Sequence, residues 1–134
     1  HDLPDDLMMS TQQLRALADS AGVTIGGHTV THPILASVDD AEARAEIEDG
    51  KRAIEDRLQR ELHLFAYPNG RLGQDYRPVH ADLVRGAGFE AAVSTDWGTL
   101  DADTDPFLVP RFTPWRKQLP RFALDLARCH HGLI

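Results

Sequence analysis

The chain alternates between segments with a helical hydrophobic period and short β-branched runs bounded by glycine, and this rhythm limits the folds open to it. Ser10 and Gln13 form a capping signature, in which the hydroxyl and the amide satisfy the first free N–H groups of a helix. Leu14, Leu17 and Ala18 then supply its predicted buried stripe. Gly22 ends that helix, and the run at 23–26 predicts a buried strand. Asp39 and Glu42 open a second helix, predicted from Asp40 to about Leu62, with Ala43, Ile47, Ile54, Leu58 and Leu62 on one face. HLFAY predicts the next strand, Pro78 to Gly86 a third helix and FEAAV a third strand. FLVPRF predicts a fourth strand ending near Pro110, and LPRFALDLARC a last amphipathic helix. Parallel neighbours need long return connections, which these helices supply, so the expected class is α/β with mostly parallel strands.

Length restricts the architecture further. A closed eight-stranded (β/α) barrel takes about 250 residues, so a chain of 134 can form only part of one. Within the second helix, the acidic N-terminal half reads as a solvated face suited to the helix dipole. Glu48 with Arg52 and Asp56 with Arg60 have the favoured i, i+4 order, and Gly50 predicts a bend.

Composition removes several partner classes. A net charge of -7 and a pI near 5.4 repel phosphate backbones and anionic headgroups, so no nucleic-acid partner is expected. Cys129 is the single cysteine, which excludes an intrachain disulfide and a thiolate zinc site. No run approaches the roughly 18 apolar residues of a membrane span. The opening HDLPDDLMMS lacks the basic and apolar regions of a secretory leader, so no membrane span is expected and the compartment stays open, with a lean toward the cytoplasm.

The residues with the most chemistry are His28 and His32, four apart in GGHTVTHP. Three β-branched residues between them and Pro33 after them favour a structured loop over a long helix. That loop follows a predicted strand, where parallel α/β folds place ligands. Spacing alone leaves two readings open: a shared divalent metal, or two hydrogen-bonded structural histidines. His63 and His80 read as packing or surface residues, and His130 and His131 as solvated tail residues. Trp97 and Trp115 read either as packing aromatics or as walls of a ligand groove.

The segment IGGHTVTHP resembles the H-[ST]-x-x-H motif of polysaccharide deacetylases of the NodB-like type, carbohydrate esterase family 4. FAYPNG, one helix and one strand later, resembles a variant of that family's R-x-P-[YF]-G region. LVRGAGFEAAVSTDWG and DPFLVPRF are similar to the helix, strand and LPR-type segment that follow in one bacterial branch, so the resemblance covers most of 7–115. It implies the later half of a catalytic domain, a partial (β/α) barrel in which residues 1–134 form a single incomplete unit. It also implies a divalent metal, commonly zinc, held by His28, His32 and an aspartate, and deacetylation of an N-acetylated carbohydrate. The aspartates of the family come from a TFDDG-like motif that this sequence lacks, and Asp5-Asp6 lacks the strand context and reads as exposed loop.

By the same resemblance, the Asn69 backbone N–H is the expected oxyanion donor, and Tyr67, Pro68 and Trp97 the expected substrate contacts. Ala66 stands where the family often has an arginine; Arg111 is a candidate to replace that charge, with a surface or structural role as the alternative. LDLARCHHGLI shows no match to the family's late general-acid histidine. Two other functions stay open: an amidohydrolase acting on a small non-sugar amide or ureide, and a non-catalytic carbohydrate-binding protein. Missing first strands leave the isolated chain expected inactive, with an uncovered sheet edge able to form a homodimer.

Overall fold

The computed structural model describes residues 8–112 and 117–133. In chain order its regular elements are α1 (Thr11–Ala18), a 3-10 turn (Leu35–Ser37), α2 (Asp40–Leu58), β1 (Leu64–Ala66), α3 (Pro78–Gly86), β2 (Ala91–Val93) and α4 (Leu119–His130). The two strands pair in parallel, with Leu64 opposite Ala91, Phe65 opposite Ala92 and Ala66 opposite Val93. α3 is the return connection between them, and it packs with α2. This is the α/β arrangement the sequence rhythm predicts.

Both predicted caps form. The Ser10 hydroxyl accepts from the Gln13 N–H while the Gln13 side chain accepts from the Ser10 N–H, and Asp39 accepts from the N–H groups of Ala41 and Glu42. α1 buries less than its pattern suggests: Leu14 and Ala18 lie half-covered against the core, and Leu17 is exposed. α2 ends four residues before Leu62, because Gln59 takes a left-handed conformation and its N–H closes on the Glu55 carbonyl. Leu62 is still buried, with its N–H held by the Glu55 carboxylate. The predicted Glu48–Arg52 and Asp56–Arg60 pairs are replaced: Glu48 meets Arg44, Arg52 meets Asp49, and Arg60 reaches Asp19 at the C-cap of α1.

Two predicted strands contract to single bridges. None of 23–26 pairs, and the bridge falls one residue later at Gly27, which donates to the Leu64 carbonyl and accepts from Ala66. Glycine is needed there, because a Cβ on Gly27 would sit 2.7 Å from the Phe89 ring and one on Gly26 2.8 Å from the Leu64 carbonyl oxygen. On the other flank the stretch around Val109 pairs with β2 and stops at Pro110, which has no N–H to continue the ladder. Each edge of the short sheet is therefore already covered by an irregular segment, and an edge-to-edge homodimer finds little ladder to extend.

The core lies between the sheet and the helices: Phe65, Tyr67, Tyr76, Val84, Phe89, Ile47 and Leu35 are all buried. Tyr67 and Tyr76 stack with centroids 3.7 Å apart, and the Tyr67 hydroxyl donates to the Phe107 carbonyl at 2.9 Å. α4 turns Asp125 and Cys129 inward and leaves Leu119, Leu124 and Leu126 exposed, which reverses the packing its amphipathic pattern predicts. No helix among the described residues is long and apolar enough to cross a membrane.

Candidate functional site

The HTVTH loop leaves the sheet immediately after the Gly27 bridge, so His28 is placed by the backbone pairing of Gly27 with β1. The His28 Nδ1 lies 2.7 Å from the Ala66 carbonyl oxygen. A carbonyl can only accept, so Nδ1 carries the proton and Nε2 is left with its lone pair. The two rings stand 4.7 Å apart at an interplanar angle of 69°, and both histidines are exposed.

The loop reaches this shape through unusual backbone. Thr29 and His32 have φ of 64° and 60°, in the left-handed region that disfavours a β-branched residue most. Local bonds hold the turn: the Thr29 hydroxyl donates to the His28 carbonyl at 2.6 Å and accepts from the His32 N–H at 3.1 Å. From α2, the Glu46 carboxylate accepts from the N–H groups of Val30 and Thr31 and from the Thr31 hydroxyl, each at 2.8 Å. Burial works against ionising Glu46, but these three bonds outweigh it and hold the carboxyl below its ordinary range. Gly50, one turn further along α2, lets the loop lie directly on the helix: a Cβ there would meet the Thr29 carbonyl carbon at 2.8 Å. Gly50 therefore marks a close approach within an unbroken helix instead of the predicted bend.

The PNG turn closes the next part of the site. Asn69 has φ of 57° and Gly70 φ of 84°. The turn is pinned to the exit of β2, where the Thr95 N–H donates to the Gly70 carbonyl and the Thr95 hydroxyl to the Asn69 carbonyl. Among the described residues no acceptor meets the Asn69 N–H. Beside it lies an open groove of about 680 Å³, lined by Asn69, Arg71, Asp75, Asp96 and Trp97, among others. Asp75 is only 5% exposed, and its Oδ2 accepts from the Arg71 N–H; Asp96 Oδ2 accepts from the Leu72 N–H. Burial, followed by the charge of Asp96, pushes the Tyr76 hydroxyl up to about 12, against a hydrogen bond with the Ser94 side chain.

Of the residues singled out from sequence, His28 and His32 come together and Asn69 and Trp97 line the groove. Tyr67 and Pro68 do not reach a substrate surface: Tyr67 is 1% exposed with its hydroxyl committed to Phe107, and Pro68 is fully buried. Both are packing residues that carry the turn. Arg111 follows the β2 flank, where its Nε donates to the Ser94 carbonyl at 2.9 Å and its N–H to the Asp96 carbonyl. It braces the loop that bears Asp96 and Trp97. His63 pairs with Glu90 at the surface, and His130 and His131 are exposed. His80 is buried in α3, with Nδ1 accepting from the Arg77 N–H and Nε2 without a hydrogen-bond partner. Asp5, Asp6 and Trp115 lie outside the described residues.

Glu46, Asp75 and Asp96 are the site residues that sequence reasoning passed over, and Gly50 is one that it read only as a bend. Glu46 and Gly50 did leave a signal, since a glycine inside a long helix on the face of Ala43 and Ile47 marks something lying close against it. Two imidazoles with one free Nε2 suit a borderline divalent cation such as zinc. Among the described residues no group of three His, Cys, Asp or Glu side chains could complete its shell.

Comparison with known proteins gives the relationship. The polysaccharide deacetylase family model matches residues 6–90. Among solved structures, the Streptococcus pyogenes deacetylase PplD, in complex with acetate, superposes with a TM-score of 0.74 at 22% identity, over 87% of this chain and 49% of that one. A polysaccharide deacetylase from Bacillus cereus superposes with a TM-score of 0.64 at 19% identity, over 77% of this chain and 31% of that one. At these identities the structural likeness establishes a shared fold, a partial NodB-type α/β barrel, and the chain spans half or less of either relative's length. No curated protein matches the sequence significantly. The matched stretch contains the histidine loop and the PNG turn, and the chain belongs to the polysaccharide deacetylase family.

Proposed function

We propose that this chain forms the later part of a catalytic domain that hydrolyses N-acetyl groups on an amino-sugar polymer, with His28 and His32 as two ligands of a divalent metal, most simply zinc. The supporting observation is the pair of rings 4.7 Å apart at the C-terminal edge of the sheet, with the His28 Nδ1 tied to Ala66 and its Nε2 directed elsewhere. When bound, the cation supplies Lewis-acid polarisation of an amide carbonyl and makes water more acidic.

The chain's own residues do the rest of what this half can do. His28 and His32 set the position of the reacting carbonyl, and the Asn69 N–H donates to its oxygen as negative charge develops. The indole of Trp97 forms an apolar wall of the groove, suited to the acetyl methyl or a sugar face. A catalytic zinc site takes three protein ligands and an open position, so the third ligand comes from outside the described residues, and by the family resemblance the general base comes with it from the missing aspartate pair. The chain alone is then inactive.

Acetate release from N-acetylated chito-oligosaccharides, by this chain joined to a strand bearing the aspartate pair, tests the reading. Activity should disappear with EDTA and with His28→Ala. Release that survives both would overturn it, and release only from small cyclic amides would move the substrate to that class.

A further inference from the structure

The fold makes one acidic residue answerable for the shape of the whole histidine loop. We propose that Glu46 is a positioning residue for the metal site, fixing the relative placement of His28 and His32 through the backbone between them; this deepens the metal reading above and rests on it.

Glu46 sits on α2, far from the loop in sequence, and directs both carboxylate oxygens into it. One oxygen takes two consecutive N–H groups, Val30 and Thr31, and the other takes the Thr31 hydroxyl. Consecutive N–H groups converge on one acceptor only when the backbone curls, and here the curl is bounded by the left-handed residues Thr29 and His32. Those conformations are strained for residues with a Cβ, so the loop needs an external tie to stay in them. The tie is positioned by the helix, because Gly50 brings the Thr29 backbone into contact one turn beyond Glu46. The histidines have few constraints of their own. His28 has the Ala66 bond, and the His32 N–H has the Thr29 hydroxyl, while both rings are exposed. Release of Glu46 would let Val30 and Thr31 turn over and swing His32 away from His28 without disturbing the core. Glu46 touches neither ring, so its effect passes through the main chain.

The two candidate roles of Glu46, geometry and charge, separate with two variants. In Glu46→Gln the amide oxygen can still take both N–H groups, and the amide N–H can donate to the Thr31 hydroxyl, which then turns to accept. Glu46→Ala removes every bond. Zinc titration by calorimetry of this chain joined to a strand bearing the aspartate pair, with far-UV circular dichroism to check the helices, reads the outcome. Glu46→Ala should weaken zinc binding by about 10- to 100-fold, the range seen when a group behind a metal ligand is lost, and Glu46→Gln should recover most of it. The amide resonances of Val30 and Thr31 should move in the alanine variant before any metal is added.

Unchanged zinc affinity in Glu46→Ala, with binding still dependent on His28, would overturn the assignment of Glu46 alone. Equal loss in both variants would also overturn it, in favour of a charge effect. If the unaltered joined chain binds no zinc, or binds it equally well as His28→Ala, the metal reading fails and this one fails with it.

Discussion

Replacing Gly50 with alanine sets two opposed effects against each other. An exposed helix interior gains about 1 kcal/mol from glycine to alanine. At Gly50 the added Cβ would stand 2.8 Å from the Thr29 carbonyl carbon and 2.9 Å from its oxygen. Those are backbone atoms on a loop already tied to Glu46, so no rotamer change relieves the contact. Restoring an ordinary 3.4 Å separation requires about 0.6 Å of movement, either of the loop from α2 or of α2 from the core. Overpacking of this kind costs about 1–3 kcal/mol, and a shift of that size also stretches the three bonds to Glu46. The expected net result is a loss of about 1 kcal/mol, seen as a lower urea midpoint at unchanged m-value, together with weaker zinc binding. Gly86→Ala is the matched control, because nothing lies within 4 Å of its added Cβ; it should be neutral or stabilising by up to about 1 kcal/mol. A gain at Gly50 equal to that at Gly86, with zinc affinity intact, would refute the close approach of loop and helix.

Two further outcomes follow from buried groups. Burial, reinforced by Arg77 and only partly opposed by Asp40, lowers the His80 pKa from its ordinary 6.5; the native state then binds fewer protons than the unfolded chain, so His80 stabilises the fold above that value and its contribution is lost as pH falls below it. His80→Gln, whose side-chain oxygen can still accept from the Arg77 N–H, should flatten the fall in urea stability as pH drops below 6.5, and an unaltered slope would count against it. Tyr67→Phe leaves the Phe107 carbonyl without its buried donor and should cost about 1–3 kcal/mol with no change in saccharide affinity, whereas altered affinity at full stability would return Tyr67 to the binding surface.

Much of this fold could be read from local chemistry, and the exceptions share a cause. Ser10, Asp39 and Pro78 marked helix starts because capping is decided within one turn of chain. HLFAY and FEAAV marked the two strands, though each is three residues long. The stretch before Gly27 looked like a strand because β-branching reports local preference, whereas a ladder also needs a partner in register; only Gly27 finds one. The acidic run of α2 was read as solvated because charge alone does not show direction, yet Glu46 turns toward a loop that lies fifteen residues earlier in the chain. Tyr67 and Pro68 looked like groove residues from their neighbours in the motif, and only the packing of Tyr76 against Tyr67 revealed them as core. The family resemblance identified His28 and His32; what holds them in place was written in non-local contacts.

The order of the HTVTH loop comes from α2 and from the sheet edge, while the imidazoles themselves project outward. Fold and side-chain chemistry are thus only loosely coupled at this corner: either histidine could be exchanged while the loop keeps its ties to α2 and to the sheet edge. Chains that differ only at these two positions would then be indistinguishable by thermal melting.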